Sequence, residues 1–294
     1  MQFGVVFPQT EIGDDPIAVR DYAQTAEGLG FDYLLTFDHV VGANPDRPGG
    51  WANRPYDYNS MFHEPFVLFG YLAGLTERIR FMTGIVISPQ RQTVLLAKQA
   101  AAVDVLSGGR LTLGIGVGWN EVEYTALNEN FHNRGRRQAE QVEVLRALWT
   151  QRLVTFDGKY HTISDAGIYP LPVQRPIPIW FGGGSDASFR RMARLGDGWM
   201  TNTGNIDQLA GELATLRAYI ADAGRNPADF GVDFRISLRR DPEAEWPIII
   251  ERLAALGVSH VSINTMNCGL GGVGSHLDAV KRFATGMKHN SRQP

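Results

Sequence analysis

Eight short apolar runs, each followed by an amphipathic stretch, recur along this chain and limit what it can fold into. The runs are FGVVF (3–7), FDYLLTF (31–37), IRFMTGIVI (79–87), LTLGIGV (111–117), IPIWF (177–181), GWMTN (198–202), GVDFRIS (231–237) and VSHVSIN (258–264). Helical patterns follow over 16–29, 65–75, 93–106, 120–149 with a break near 133–135, 186–195, 207–223, 245–256 and 275–287. Repeated strand–helix units imply an α/β fold with parallel strands and right-handed crossovers, and eight units close a (β/α)8 TIM barrel. A doubly wound open sheet is the other arrangement of such units. Against it, FPQTEIGDD follows the first strand where a dinucleotide-binding sheet would carry GxGxxG. Residues 151–176 depart from the alternation. LVTFDGKYHTI reads as a hairpin turning at Asp157-Gly158, and Pro170, Pro172 and Pro176 stiffen the connection after it. This is an excursion within a single expected domain, 1–294.

A chain of 294 residues suits one α/β barrel. Its 28 basic and 31 acidic side chains leave a formal charge of −3, so nucleic acid and anionic membranes are not expected partners. The opening MQFGVVFPQT has no basic leader and its apolar run breaks at Pro8, which predicts neither a signal peptide nor a membrane span. Cys268 stands alone, fits a reducing cytosol and reads as a small buried residue. The seven histidines, among them His39, His63, His132 and His161, show no HxH or HExxH spacing. No metal is expected, and a zinc hydrolase on this fold is disfavoured.

Three stretches carry chemistry. In LTLGIGVGW, glycines 114, 116 and 118 alternate with Leu111, Leu113, Ile115 and Val117. The apolar parity should face the barrel helices and the glycine parity the interior. Gly114 then reads as relief of crowding in the barrel, while Gly116 and Gly118 read as the wall of a slot for a planar ring at the C-terminal mouth. In WFGGGSDASFRR, Gly182, Gly183 and Gly184 precede a helix that Ser185 or Asp186 can cap. The bare N–H groups of such a turn suit a phosphate, although an ordinary strand-to-helix turn needs glycine too. In TFDHV, Asp38 and His39 arrive together at the mouth, where they can shuttle a proton or merely finish a strand.

Together, GFDYLLTFDHV, MTGIVISPQRQTVLLAKQAAAVDVLSGGRLTLGIGVGWNEVEY, NRGRRQAEQVEVLRALWT and PLPVQRPIPIWFGGGSDASFRRMARLGDGW closely resemble the bacterial luciferase-like superfamily, in particular its coenzyme F420 (deazaflavin)-dependent oxidoreductases. The resemblance spans nearly all of 1–200. It implies a flavin or deazaflavin at the barrel mouth and a non-prolyl cis peptide on the third strand, here at Gly84–Ile85. It also implies cofactor contacts from Asp38, Gly84, Ile85, Gly116, Val117, Gly118, Gly182, Gly183, Gly184 and Ser185, with Asp38 and His39 as catalytic candidates. Members of the family are often dimers.

In the luciferase branch an arginine after the fourth strand grips the FMN phosphate; Val117 takes that place here, and a valine cannot pair with a dianion. The resemblance therefore implies F420 and hydride transfer to or from a small organic substrate. An FMN-dependent monooxygenase with a reductase partner is the alternative, and a cofactor-binding protein without turnover is a third. The family's sugar-phosphate dehydrogenases carry a tryptophan and a glutamate where Ala43 and Trp119 stand, which argues against sugar oxidation. Arg134, Arg136 and Arg137 either meet the acidic tail of F420 or form a solvated helix start with Glu140 and Glu143. The loop 42–59, with Trp51, Tyr56 and Tyr58, either overhangs the mouth and selects an apolar or planar substrate or packs on itself. Glu64 reads as a favourable charge at a helix start, and Lys98 as a solvated or paired helix residue.

Overall fold

The computed structural model describes residues 1–50 and 54–290, so Trp51 lies outside the described residues. The barrel is assembled from β1 (Gln2–Val6), β2 (Tyr33–Thr36), β3 (Arg80–Thr83), β4 (Val86–Ile87), β5 (Leu111–Gly116), β8 (Ile179–Gly182), β9 (Gly198–Met200), β10 (Gly231–Ser237) and β11 (His260–Asn264). All pair in parallel, and the ladder returns to its start through β11–β1. Because β3 and β4 both pair with β5, they form one stave, and the cylinder has eight. The expected continuous strand 79–87 is thus split. Gly84 and Ile85 leave the ladder, and the peptide bond between them is cis.

Around the barrel lie α1 (Pro16–Leu29), α2 (Pro65–Ala73), α3 (Thr93–Leu106), α4 (Glu121–Ala126), α5 (Arg134–Thr150), α6 (Asp186–Leu195), α7 (Ile206–Asp222), α8 (Trp246–Ala255) and α9 (Gly272–Asn290). The break expected near 133–135 comes earlier: α4 stops at Ala126, Asn128 has φ 58°, and a 3-10 turn over Phe131–Asn133 leads into α5. No helix among the described residues is long and apolar enough to cross a membrane. The inserted hairpin is β6 (Val154–Asp157) and β7 (Thr162–Ala166). Asp157 pairs with Thr162, so the turn is longer than a two-residue Asp-Gly turn. Glu140 of α5 explains the difference, accepting the Lys159 and Tyr160 N–H groups and the His161 ring.

Two apolar layers result. Leu111, Leu113 and Ile115 join the layer between staves and helices, as the strand parity predicts. Inside the cylinder, Val6, Tyr33, Leu35, Met82, Trp180, Met200 and Met266 fill the lumen. Glycine makes that filling possible. A Cβ on Gly198 or Gly231 would strike the Trp180 ring, and one on Gly114 would strike the Thr83 carbonyl oxygen and stand 2.6 Å from Met200 Sδ. Gly114 therefore relieves crowding, as expected. At the N-terminal end of the lumen, the Tyr33 hydroxyl donates to Asp233 (2.6 Å), and His260 lies against the rings of Tyr33 and Trp180.

Gly114→Ala is expected to destabilise the fold by about 1–3 kcal/mol through overpacking. Gly211→Ala, inside α7 with nothing within 4 Å of its added carbon, should stabilise it by about 0.5–1 kcal/mol; denaturant titration of both variants checks the pair. Burial, the N-terminal ammonium and Arg80 push His260 down to about 4 from 6.5. Between those values the unfolded chain takes up a proton that the folded chain does not, so stability falls as pH falls through this window. His260→Asn should flatten that slope, as read from unfolding free energy against pH.

Candidate cofactor and active site

At the C-terminal mouth a cavity of about 300 Å³ is bordered by the ends of five staves. Phe37, Asp38 and His39 follow β2, and the third stave contributes Gly84, Ile85 and Ile87. Gly116 ends β5 and leads to Val117, Gly118 and Trp119; Gly182 ends β8 and is followed by Gly183; Asn202 lies past β9. The structure thus gathers most of the expected contact residues around one space, which falls within the size range of small-molecule sites. The expected bare slot needs correcting. A Cβ on Gly116 would collide with the Ile85 side chain, and one on Gly118 would lie 2.9 Å from Ile87 Cγ2. The missing side chains are replaced by the flanks of two isoleucines, which give the cavity an apolar floor. Gly118 has φ +62°, a left-handed conformation that suits glycine.

Asp38 and His39 adjoin in sequence but serve different elements. The Asp38 carboxylate is buried, accepts the Ile87 N–H (3.2 Å) and pairs with Arg91 (2.9 Å). Arg91 also holds Glu64 (2.7 Å), whose other oxygen caps α2 by accepting the Val67 N–H. Glu64 is accordingly both a helix cap and one end of a strut. Burial raises the Asp38 carboxyl above its ordinary range, with Arg91 and the Ile87 N–H pulling it back. Burial likewise opposes the charge on Arg91, but Asp38 and Glu64 outweigh it and raise the guanidinium. The result is a cross-brace from β2 to the start of α3 that fixes the third stave beside the cavity.

His39 is placed by its neighbours. Its ring stacks on Tyr56 (centroids 3.7 Å apart, planes at 30°), Phe62 meets it edge-on at 4.9 Å, and Nδ1 lies 3.3 Å from Oε1 of Glu123. Glu123 is fully buried and also accepts the Val40 N–H (3.1 Å) and the Gln90 amide (3.2 Å). Burial, followed by the charge of Glu123, raises the Tyr56 hydroxyl well above its usual range. Sequence reasoning singled out neither Glu123 nor Arg91. The signal for Glu123 was its place three residues after the helix cap Asn120, which otherwise reads as a capping box.

The triple-glycine turn ends β8 against α6. Gly183 has φ +121°, and its carbonyl accepts the Trp199 indole N–H (2.8 Å). Ser185 is the N-cap, its hydroxyl accepting the Ser188 N–H (3.2 Å). Helix geometry leaves the N–H groups of Asp186 and Ala187 without intrahelical acceptors, three and four residues after Gly183, which borders the cavity. From Gly184 and Asn202 an open groove of about 840 Å³ continues past Asn205, Arg240 and Arg252.

Arg134, Arg136 and Arg137, for which the sequence left an acidic cofactor tail and a solvated helix start both open, have partners within the protein. Arg137 binds the Pro89 carbonyl and Glu129, Arg134 lies 3.7 Å over the Phe131 ring, and Arg136 donates to the Tyr160 hydroxyl (3.3 Å). Glu140 is taken by the hairpin, so the solvated helix start is not found in its expected form either. In the loop 42–59, Tyr56 is buried against His39 and Tyr58 is 63% exposed. Trp119 meets Tyr56 edge-on and lies beneath Arg54. Ala43 is buried, Lys98 donates to the Tyr169 carbonyl, and Cys268 is half-buried with its thiol directed at the Met266 carbonyl. Among the described residues no group of three or more His, Cys, Asp or Glu is placed to hold a metal ion.

Comparison with known proteins agrees with this architecture. A Mycobacterium tuberculosis protein of uncharacterized function, Rv0953c, is 31% identical over 271 residues, covering 89% of this chain and 90% of that protein. An FMNH2-dependent dimethylsulfone monooxygenase of Pseudomonas putida is 30% identical over 241 residues, covering 80% of this chain and 62% of that protein. The structure of an F420-dependent secondary alcohol dehydrogenase, solved with an F420-acetone adduct, superposes with a TM-score of 0.76 at 21% identity, over 95% of this chain and 97% of that one. Residues 1–266 match the profile of the luciferase-like monooxygenases, and with the barrel and its mouth as described, the chain belongs to that family.

Proposed function

We propose that this protein is an F420-dependent oxidoreductase that moves a hydride between the deazaflavin and a small organic substrate. The observation that carries the reading is the charge of the cavity wall: among the described residues that border it, none is lysine or arginine, and position 117 is valine. FMN ends in a phosphate monoester, which is close to a dianion at neutral pH and is best matched by a guanidinium. F420 carries its phosphate as a diester with a single charge, which a glycine turn and a helix start can serve. The apolar floor of Ile85 and Ile87 fits a planar ring, and the turn 182–185 fits the phosphate. When bound, the deazaflavin supplies hydride chemistry without oxygen activation.

The protein's own residues have separate tasks in this reading. Ile85, Gly116 and Gly118 shape the surface on which the ring lies. Asp38, braced by Arg91, holds the backbone of Ile87 in register beside it. His39 exchanges the proton that accompanies hydride movement. Trp119 and Tyr56 narrow the entrance and exclude water. The monooxygenase relative from P. putida favours a second reading, in which reduced FMN from a reductase partner occupies the same cavity.

Titration of the purified protein with F420 and with FMN separates these readings. F420 is expected to bind at least about tenfold more tightly, a difference of about 1.4 kcal/mol, and to be the cofactor retained after expression in a deazaflavin-producing host. Tight FMN binding with no affinity for F420 would overturn the assignment. His39→Ala should lower kcat/KM by about 10²–10⁴-fold with F420 affinity unchanged within a few-fold; unaltered turnover and pH profile would remove His39 from the mechanism.

A further inference from the structure

Glu123 is a fully buried carboxylate, and among the described residues the only ion pair it enters is with the titratable ring of His39. Its neighbours are donors. Oε1 faces the Val40 N–H and His39 Nδ1, and Oε2 faces the Gln90 amide. The Tyr56 hydroxyl accepts from the Asn120 amide at 2.6 Å, and the Glu123 charge acts on that hydroxyl. An ionised carboxylate can only accept. For Nδ1 to sit beside it without two lone pairs facing each other, Nδ1 must carry the ring proton, which leaves Nε2 as the exchanging nitrogen. The stack on Tyr56 and the edge of Phe62 hold the ring in that orientation, and the ring borders the cavity.

We infer that Glu123 is a positioning residue that fixes His39 as the Nδ1–H tautomer and presents Nε2 to the oxygen of a hydroxyl or carbonyl substrate. The inference rests on the oxidoreductase reading above. In the oxidative direction the substrate's C–H bond breaks, its hydride passes to the oxidised deazaflavin, and its O–H proton passes to Nε2. The imidazolium so formed faces the Glu123 carboxylate. In reverse, Nε2 returns the proton to the carbonyl oxygen as hydride arrives at carbon. The charged and titratable groups facing His39 are Glu123 from α4, Tyr56 from the loop 42–59, and Asp38 from its own strand with Arg91 behind it.

The test begins with the unliganded wild-type protein labelled with 15N-histidine. With the ring neutral, long-range 1H–15N correlations should show Nδ1 protonated and Nε2 bare; the opposite tautomer overturns the inference whatever cofactor binds. In Glu123→Gln, which keeps the size of the side chain and removes its charge, F420 affinity should stay within about twofold. kcat should fall at least about tenfold with little change in KM. The acid limb of the kcat/KM profile should move to lower pH, because the imidazolium has lost its neighbouring anion, and Glu123→Asp should restore the wild-type limb. A Glu123→Gln enzyme with wild-type rate and profile also overturns it. Should that variant not fold, the wild-type tautomer decides. Failure of the wild-type protein to bind F420 counts against the oxidoreductase reading alone, since the ring tautomer is measured without cofactor.

Discussion

The site depends on side chains that β5 does not have. Because Gly114 lacks a Cβ, the Thr83 carbonyl of the third stave can occupy the space beside it, and the Thr83 hydroxyl donates to the Gly114 carbonyl at 2.7 Å. Two residues further on, the same absence at Gly116 admits Ile85. The third stave therefore closes onto β5 twice, before and after Gly84–Ile85, and the intervening pair borders the mouth. Larger side chains at 114 and 116 would separate the staves where the cavity floor is built. Interiors packed to crystal-like density have little slack to absorb such a change, so closure of the cylinder and shape of the site are one packing problem.

Two buried carboxylates flank that floor and are stabilised differently. Asp38 faces a guanidinium that Glu64 orients from its far side, an arrangement suited to rigidity because both carboxylates hydrogen-bond to the one planar group. Glu123 has several dipolar donors and one neighbour whose charge is conditional. Removing a carboxylate from water is costly unless its lone pairs are met, and here a proton arriving on His39 completes the match. The first carboxylate suits a brace and the second suits a group that must change its charge during turnover.

Periodicity made the barrel legible. Seven of the eight runs appear as single strands, and the parity of Leu111, Leu113 and Ile115 assigned the two faces of β5 correctly. Local spacing could not reveal partners distant in sequence. Glu123 stands where a capping glutamate would reach back to its own helix, and only the fold brings His39, 84 residues away, within reach. Arg91 is polar at a helix start, a position that solvent usually explains, until Asp38 and Glu64 converge on it. Arg134, Arg136 and Arg137 are ambiguous in the sequence, which allows either an anion site or a solvated helix start. The fold gives them a carbonyl, an aromatic face, the Tyr160 hydroxyl and Glu129. Gly116 was read as empty space because the sequence does not show that Ile85 turns toward it.

The two ends of the lumen differ in what their polar groups face. At the base, Tyr33 and Ser262 both donate to Oδ1 of Asp233, Arg235 stands 3.7 Å from its Oδ2, and Ser259 meets His260. At the mouth, Nδ1 of His39 and both oxygens of Asp38 are engaged, but Nε2 belongs to a ring that borders the cavity, and the first N–H groups of α6 have no intrahelical acceptors. A polar group held rigid by its neighbours and left one open valence is prepared for a ligand that supplies the missing partner. In the proposed reading these groups are a proton carrier past the end of β2 and an anion-binding turn at the end of β8. The third stave and β5, which carry the apolar floor, lie between them in the barrel order, an arrangement that suits a planar cofactor ending in a phosphate.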